Sequence, residues 1–297
     1  MGTVETGPWP YEQAPIRARS LEPFQPWSPA RWHGLTPPPH DWLVEGCFLK
    51  GSVAILAGDG GLGKSLLMQQ LCTATATGQD WLGMKAQRCK SFFMGCEDDS
   101  DELHRRQAAI NARYGCDMGD LEDMLMIERV GRDNNIMDFD RRTDDGRPTT
   151  LFEQIRTTVT EHGAQLVVLD TVADVFSGNE IIRNQVRRFI SHLRRFAMQI
   201  QGTVVLTQHP SNEGMASGSG ISGSRGWNNS VRSRMYLTRD GKKDDGDQNV
   251  RWLKTMKANY GASGGKIKLR WTQGVFIRDE PAYYRDFADV QDDLPPF

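Results

Sequence analysis

Eight residues, Gly58-Asp59-Gly60-Gly61-Leu62-Gly63-Lys64-Ser65, have the spacing G-x-x-x-x-G-K-[ST]. That spacing suits a cradle for phosphates. Gly58, Gly60, Gly61 and Gly63 let the backbone wrap closely with its N–H groups aimed inward. Lys64 places a charge on the β/γ-phosphates, and the Ser65 hydroxyl ligates Mg²⁺. From Leu66 the chain reads as a helix, whose N-terminus adds a partial positive charge. The alternative is a glycine-rich turn with a chance Lys-Ser.

Three further side chains extend this chemistry. Asp170 closes the apolar run Gln165-Leu166-Val167-Val168-Leu169. A buried strand ending in a carboxylate beside a phosphate loop is the Walker B arrangement, with Asp170 near the Mg²⁺. Hydrolysis also needs a carboxylate to orient or deprotonate water. Thr171 fills the place after Asp170 where many ATPases carry that acid. Glu97, ending Ser91-Phe92-Phe93-Met94-Gly95-Cys96, is the substitute, on a strand expected beside the phosphate-loop strand. Asp98 and Asp99 either point away or cap the next helix, and all three acids also fit a plain helix start. Gln208-His209 closes a third apolar run, Thr203 to Thr207.

Elements must bring these residues together. Ser52 to Ala57, Ser91 to Cys96, Gln165 to Asp170 and Thr203 to Thr207 read as buried strands, and Met124 to Ile127 as a further short one. Helices are expected at Leu66–Leu71, Asp101–Tyr114, Leu151–His162 and Ile181–Gln201. On the last, a solvated face of arginines (Arg183, Arg187, Arg188, Arg194, Arg195) is preferred to a DNA-binding one. Gly131 to Pro148 reads as a polar surface excursion, and Pro210 to Gly226 as a Gly/Ser-rich loop. Val231–Leu237 and Val250–Met256 read as strands, Lys266–Trp271 and Val275–Arg278 as a closing hairpin. The fold class is α/β: a mainly parallel sheet with a C-terminal antiparallel hairpin, its ligands at the strand carboxyl ends.

Composition narrows the function. The chain has 297 residues and a formal charge of −2, so no global basic field draws it to nucleic acid. Mean hydropathy is −0.54, with no apolar run of about 18 residues, so no membrane association is expected. The N-terminus lacks the features of a signal peptide. Cys47, Cys72, Cys89, Cys96 and Cys116 form no C-x-x-C pair, which suits small thiols in a reducing cytoplasm. Residues 1–40 hold nine of the fourteen prolines, with Trp9, Trp27 and Trp32. This segment is either an arm that packs on something or a disordered leader. Residues 41–280 form the main domain, and 281–297 an acidic tail.

The placement of the acids resembles the RecA-like ATPases, not the AAA+ group. More closely, the chain resembles RepA-type hexameric replicative helicases of plasmids and their phage relatives. Gly60 to Ser65, Glu97-Asp98, Val168 to Thr171, Ser224-Arg225-Gly226, Val231-Arg232 and Lys257-Ala258-Asn259-Tyr260-Gly261 carry the likeness, in family order across residues 45–280. The resemblance implies a RecA-like P-loop core, a homohexameric ring with ATP between subunits, single-stranded DNA as track and a bacterial cytoplasm, plasmid- or phage-associated. Arg232 then matches an arginine finger reaching the neighbour's γ-phosphate, and Lys257 a second basic group near it. The family often has two histidines where this chain has Gln208-His209. Gln208 looks like the γ-phosphate-sensing glutamine of other RecA-like motors, which leaves open which of the two reads the phosphate.

Two rival readings are a RecA-like ATPase that binds DNA without unwinding it and a small-molecule P-loop kinase. A kinase needs an acceptor pocket and usually a basic lid, and neither is visible in the sequence. DNA contacts are expected at Ser177–Arg183 and Pro210–Gly223, each following a strand that ends at the nucleotide. The ending Asp292-Asp293-Leu294-Pro295-Pro296-Phe297 is either a docking peptide for a replication protein or a solubilising tail.

Overall fold

A computed structural model describes residues 25–140, 142–211, 214, 225–239, 247–260 and 264–279. The chain divides after Pro39 into two units. In the first, Pro29–Trp32 forms a 3-10 turn with the Ser28 hydroxyl accepting from the Ala30 N–H. Proline is tolerated at a helix start, where its missing N–H costs nothing. Trp27 and Trp32 meet edge to face at 4.6 Å.

The second unit opens with a short antiparallel pair, β1 (Trp42–Val44) and β2 (Phe48–Leu49). Its centre is a nine-stranded sheet. In chain order the strands are β3 (Ser52–Gly58), β4 (Ser91–Gly95), β5 (Met124–Glu128), β8 (Leu166–Asp170), β9 (Thr203–Gln208), β10 (Ser233–Arg239), β11 (Val250–Ala258), β12 (Lys266–Thr272) and β13 (Val275–Arg278). Their order across the sheet is β13-β12-β11-β10-β3-β9-β8-β4-β5. The six strands from β10 to β5 run parallel, and β11 to β13 extend one edge antiparallel. The expected mainly parallel α/β core is the one observed, and the closing hairpin belongs to a longer antiparallel group.

Every residue of β3, β4, β8 and β9 is buried, as strands covered on both faces must be. Alternate residues serve two cores. Leu56, Phe93, Val168 and Val205 face one with α1 (Lys64–Thr77) and α2 (Ser100–Tyr114). Val53, Phe92, Val167 and Val204 face the other with α3 (Thr150–His162) and α5 (Arg183–Gln199). Between them in sequence, α4 (Val172–Val175) is a single turn after β8. α1 is buried nearly all round, and its polar residues make contacts instead of facing water. Gln69 donates to the Leu103 carbonyl and to Gln107 Oε1.

Several expectations are corrected. β4 does not lie beside β3; β9 and β8 stand between them. Glu97 nonetheless stays at the same end of the sheet, because all four strands are parallel. The excursion at 131–148 contains a hairpin, β6 (Met137–Phe139) and β7 (Gly146–Pro148). Its polar sequence hides two anchors, Ile136 and Met137, buried in the second core. A short helix, α6 (Arg225–Ser230), precedes β10 despite poor helix formers. Trp227, buried against Phe176 and Phe189, holds it in place. α5 is two residues shorter at each end than its apolar spacing suggested. β10 begins at Ser233, which leaves Arg232 just outside it. The tail and nearly all of 210–223 lie outside the described residues.

Candidate nucleotide site

Register brings the chemistry together. Ala57 pairs with Gln208 and Gly95 with Asp170, so β3, β9, β8 and β4 end side by side. The Cys96 N–H continues the ladder to the Asp170 carbonyl at 2.8 Å. That bond fixes the backbone next to Glu97. Gly63 caps α1 in the left-handed conformation, φ 94°, which a side chain rarely adopts.

Lys64 is buried and its ammonium is fully engaged. It donates to the Gly58 carbonyl at 2.9 Å and the Asp59 carbonyl at 3.0 Å, and lies 3.4 Å from His209 Nδ1. Burial pulls its pKa down, against the pull of Asp170, Glu97 and Asp59. Asp170 is 2 % exposed. Burial raises its pKa, opposed by hydrogen bonds from the Ser65 and Thr207 side chains. The neighbouring Asp170–Thr171 peptide is cis.

The three acids after β4 have separate surroundings. Asp99 caps α2, its Oδ1 accepting from the Glu102 N–H at 2.8 Å. Asp98 takes both arms of the Arg106 guanidinium, at 2.6 and 3.1 Å. Glu97 keeps a side chain 48 % exposed, with His209 Nε2 at 3.6 Å. His209 therefore stands between Lys64 and Glu97. Glu97, Asp98, Arg106, His209 and the phosphate loop line one cavity of about 350 Å³.

The residues present fit a nucleotide with Mg²⁺. Gln208 is 3 % exposed and its Nε2 has no acceptor, a spare buried donor at the strand end where phosphate oxygens are expected. Ser65 and Asp170 supply a hydroxyl and a carboxylate. Mg²⁺ commonly takes one or two such protein ligands and completes its shell with phosphates and water. Among the described residues no group of three His, Cys, Asp or Glu side chains is built to hold a metal alone.

A family model described as an AAA domain, AAA_25, matches residues 17–215. The chain belongs to this family of P-loop ATPases. The match covers well over half of the chain and includes the phosphate loop, Glu97, Asp170 and Gln208. A RecA-like P-loop core agrees with it. Arg232 and Lys257 lie beyond the matched residues.

The structure does not bring those two to the cavity. Ser233 pairs with Ala54 and Leu237 with Gly58, so Arg232 sits five residues below Leu237, at the opposite end of the sheet. That is roughly 17 Å along the strand. Lys257 lies beside it: Arg234 and Lys257 are cross-strand partners, and the Lys257 ammonium donates to the Asn228 carbonyl at 2.7 Å. Burial lowers the Lys257 pKa, and the charge of Arg232 lowers it further. Arg232 Nε is buried with no partner.

Sequence reasoning held His209 open as a γ-phosphate reader but missed its place between Lys64 and Glu97, and it missed the roles of Arg106 and Thr207 in this geometry. Arg106 had a signal, standing two helical turns from the acids at 97–99. Thr207 had none beyond its place before Gln208. All five cysteines are free thiols, four of them buried, and burial pushes Cys89 up to about 11. No helix among the described residues is long and apolar enough to cross a membrane.

Proposed function

We propose that the protein is an ATP-hydrolysing ring motor on single-stranded DNA, a replicative helicase of plasmid or phage type acting in the bacterial cytoplasm. The observation that carries this reading is the Arg232–Lys257 pair. Two basic groups lie close together at the end of the sheet remote from their own phosphate loop, and among the described residues no carboxylate pairs with either. In a homo-oligomer, most simply a hexamer, that pair faces the γ-phosphate held by the next copy. It supplies positive charge where negative charge develops during transfer.

Within one copy, the loop N–H groups and Lys64 hold the phosphates, while Ser65 and Asp170 hold Mg²⁺. Bound Mg²⁺ neutralises phosphate charge and orients the reacting group. Glu97 is the acid free to accept the proton of the attacking water, since Asp98 and Asp99 are engaged elsewhere. Gln208 and His209 both adjoin the γ-phosphate position. DNA is expected on Ser177–Arg183, where Ile181 and Arg183 are exposed, and on the loop after His209. The C-terminal tail is a candidate dock for a replication protein.

The test combines imaging with strand displacement. Particles with ATP and single-stranded DNA should form closed rings, and the protein should separate a forked duplex in an ATP-dependent way. Rings and DNA-stimulated ATPase without strand separation support a DNA-binding ATPase that does not unwind. Monomers under all conditions sink the ring.

A further inference from the structure

The antiparallel edge reaches the phosphate-loop cavity with an aromatic side chain that the proposed chemistry does not use. Trp271 on β12 and Phe276 on β13 are cross-strand partners, so their side chains stand on one face. Alternation along β12 puts Trp271 on the face of Ile267 and Leu269, which are buried in the core with α1 and α2. Phe276 fills its place in that core. Its ring lies where a Cβ on Gly63 would come within 2.5 Å. Gln70 of α1 donates to the Phe276 carbonyl and accepts from its N–H, both at 2.9 Å.

Trp271 stands at a core-facing position and is still 44 % exposed. Trp271 lines the same cavity as Gly61, Gly63, Lys64, Ser65 and Leu66. Its strand is held firmly. The Trp271 N–H donates to the Asn249 carbonyl at 2.7 Å, and the turn at Gly274 is pressed so close to α2 that a Cβ there would meet Ala109 Cβ at 2.9 Å. A large aromatic side chain on a firmly held strand, left open beside a phosphate cradle, suits a flat ring attached to those phosphates.

We propose that Trp271 is the platform on which the base of the bound nucleotide stacks. The proposal rests on the reading of this cavity as the nucleotide site. Stacking on an indole reads the area of a base and not its hydrogen-bonding edge. The platform therefore favours purines over pyrimidines and separates adenine from guanine weakly.

Calorimetric titration of the full chain with the magnesium complexes of ATP, GTP, CTP and inorganic tripolyphosphate tests this. Wild-type protein should bind ATP and GTP more tightly than CTP, and all three more tightly than tripolyphosphate. Trp271→Ala should weaken ATP by about 5- to 150-fold, the span of base–aromatic stacking, and leave tripolyphosphate within about twofold. Trp271→Phe should retain most of the ATP affinity. Wild-type binding of tripolyphosphate as tight as that of ATP overturns the platform without any variant, while the phosphate site stands. Equal weakening of ATP and tripolyphosphate by Trp271→Ala also overturns it, as does a change of oligomeric state with ATP affinity intact. If wild-type protein binds neither ligand, the nucleotide reading fails and the platform with it.

Discussion

The two ends of the central sheet carry charge in opposite ways. At the end where β3, β4, β8 and β9 finish, cation and anion are matched: Lys64 lies among Asp170, Glu97 and Asp59. At the other end, the charge of Arg232 acts on Lys257, whose ammonium donates to the Asn228 carbonyl, and among the described residues no carboxylate pairs with either. Both side chains are half-buried, and a charge partly removed from water without a counter-ion is costly unless something supplies one. The first end can hold its own network together before any ligand arrives. The second is half of a site and calls for an anion from outside the chain.

The sharpest test of that contrast is to remove one cation from each end. Lys64→Ala should abolish nucleotide binding and turnover together, measured by titration and phosphate release. Arg232→Ala should leave binding intact and lower turnover by about 10³–10⁵, the usual worth of an arginine finger. Mixing the two variants should restore some turnover, because a hybrid interface pairs an intact Lys64 with an intact Arg232. Equal loss of affinity in both variants would erase the distinction between the ends, and no recovery in verified mixtures would remove the action in trans.

Within the first end, the acids should differ. Glu97→Gln should keep ATP binding and lower turnover by about 10²–10⁴, the range for a positioned general base. Asp98→Asn should cost only a few-fold, through the loosened Arg106 contact. The opposite ranking in steady-state assays would move the base to Asp98.

The smallest effect is expected away from both ends. His192 on α5 packs edge-on against Phe152 at 4.8 Å. Burial holds its pKa below the usual 6.5, with Arg195 pushing the same way and Glu153 against. As pH falls below about 6.5 the unfolded chain takes up this proton first. The stabilisation is complete above that pH and is lost as pH falls through the lowered folded value. His192→Phe should therefore flatten the decline in melting temperature between pH 8 and pH 5, with ATPase activity unchanged at neutral pH. An identical decline in the variant assigns the acid sensitivity to other groups.

Much of the matched end was legible from sequence, because its residues sit next to strong local signals. The G-x-x-x-x-G-K-S spacing and the apolar runs ending in Glu97, Asp170 and Gln208 need no knowledge of tertiary structure. What could not be read is which strand neighbours which. Crossovers leave no local trace, so β4 was expected two places from where it lies. The hairpin at β6 and β7 was hidden because only Ile136 and Met137 anchor it amid charged residues. The packing of α6 depends on Trp227 meeting Phe176 and Phe189, a contact between distant segments. Arg232 and Lys257 came from resemblance alone; nothing local in the sequence marks either of them.

The contact between Gly63 and Phe276 also has a meaning in time. Gln70 grips a residue 206 positions further along the chain. At a synthesis rate of about 5–20 residues per second, roughly 10–40 seconds separate the two on a ribosome. Throughout that interval the phosphate loop exists as sequence but lacks the wall that β13 sets against Gly63. A nascent chain thus carries an incomplete nucleotide site until its antiparallel edge is made, and the last strand of the sheet finishes what the first began.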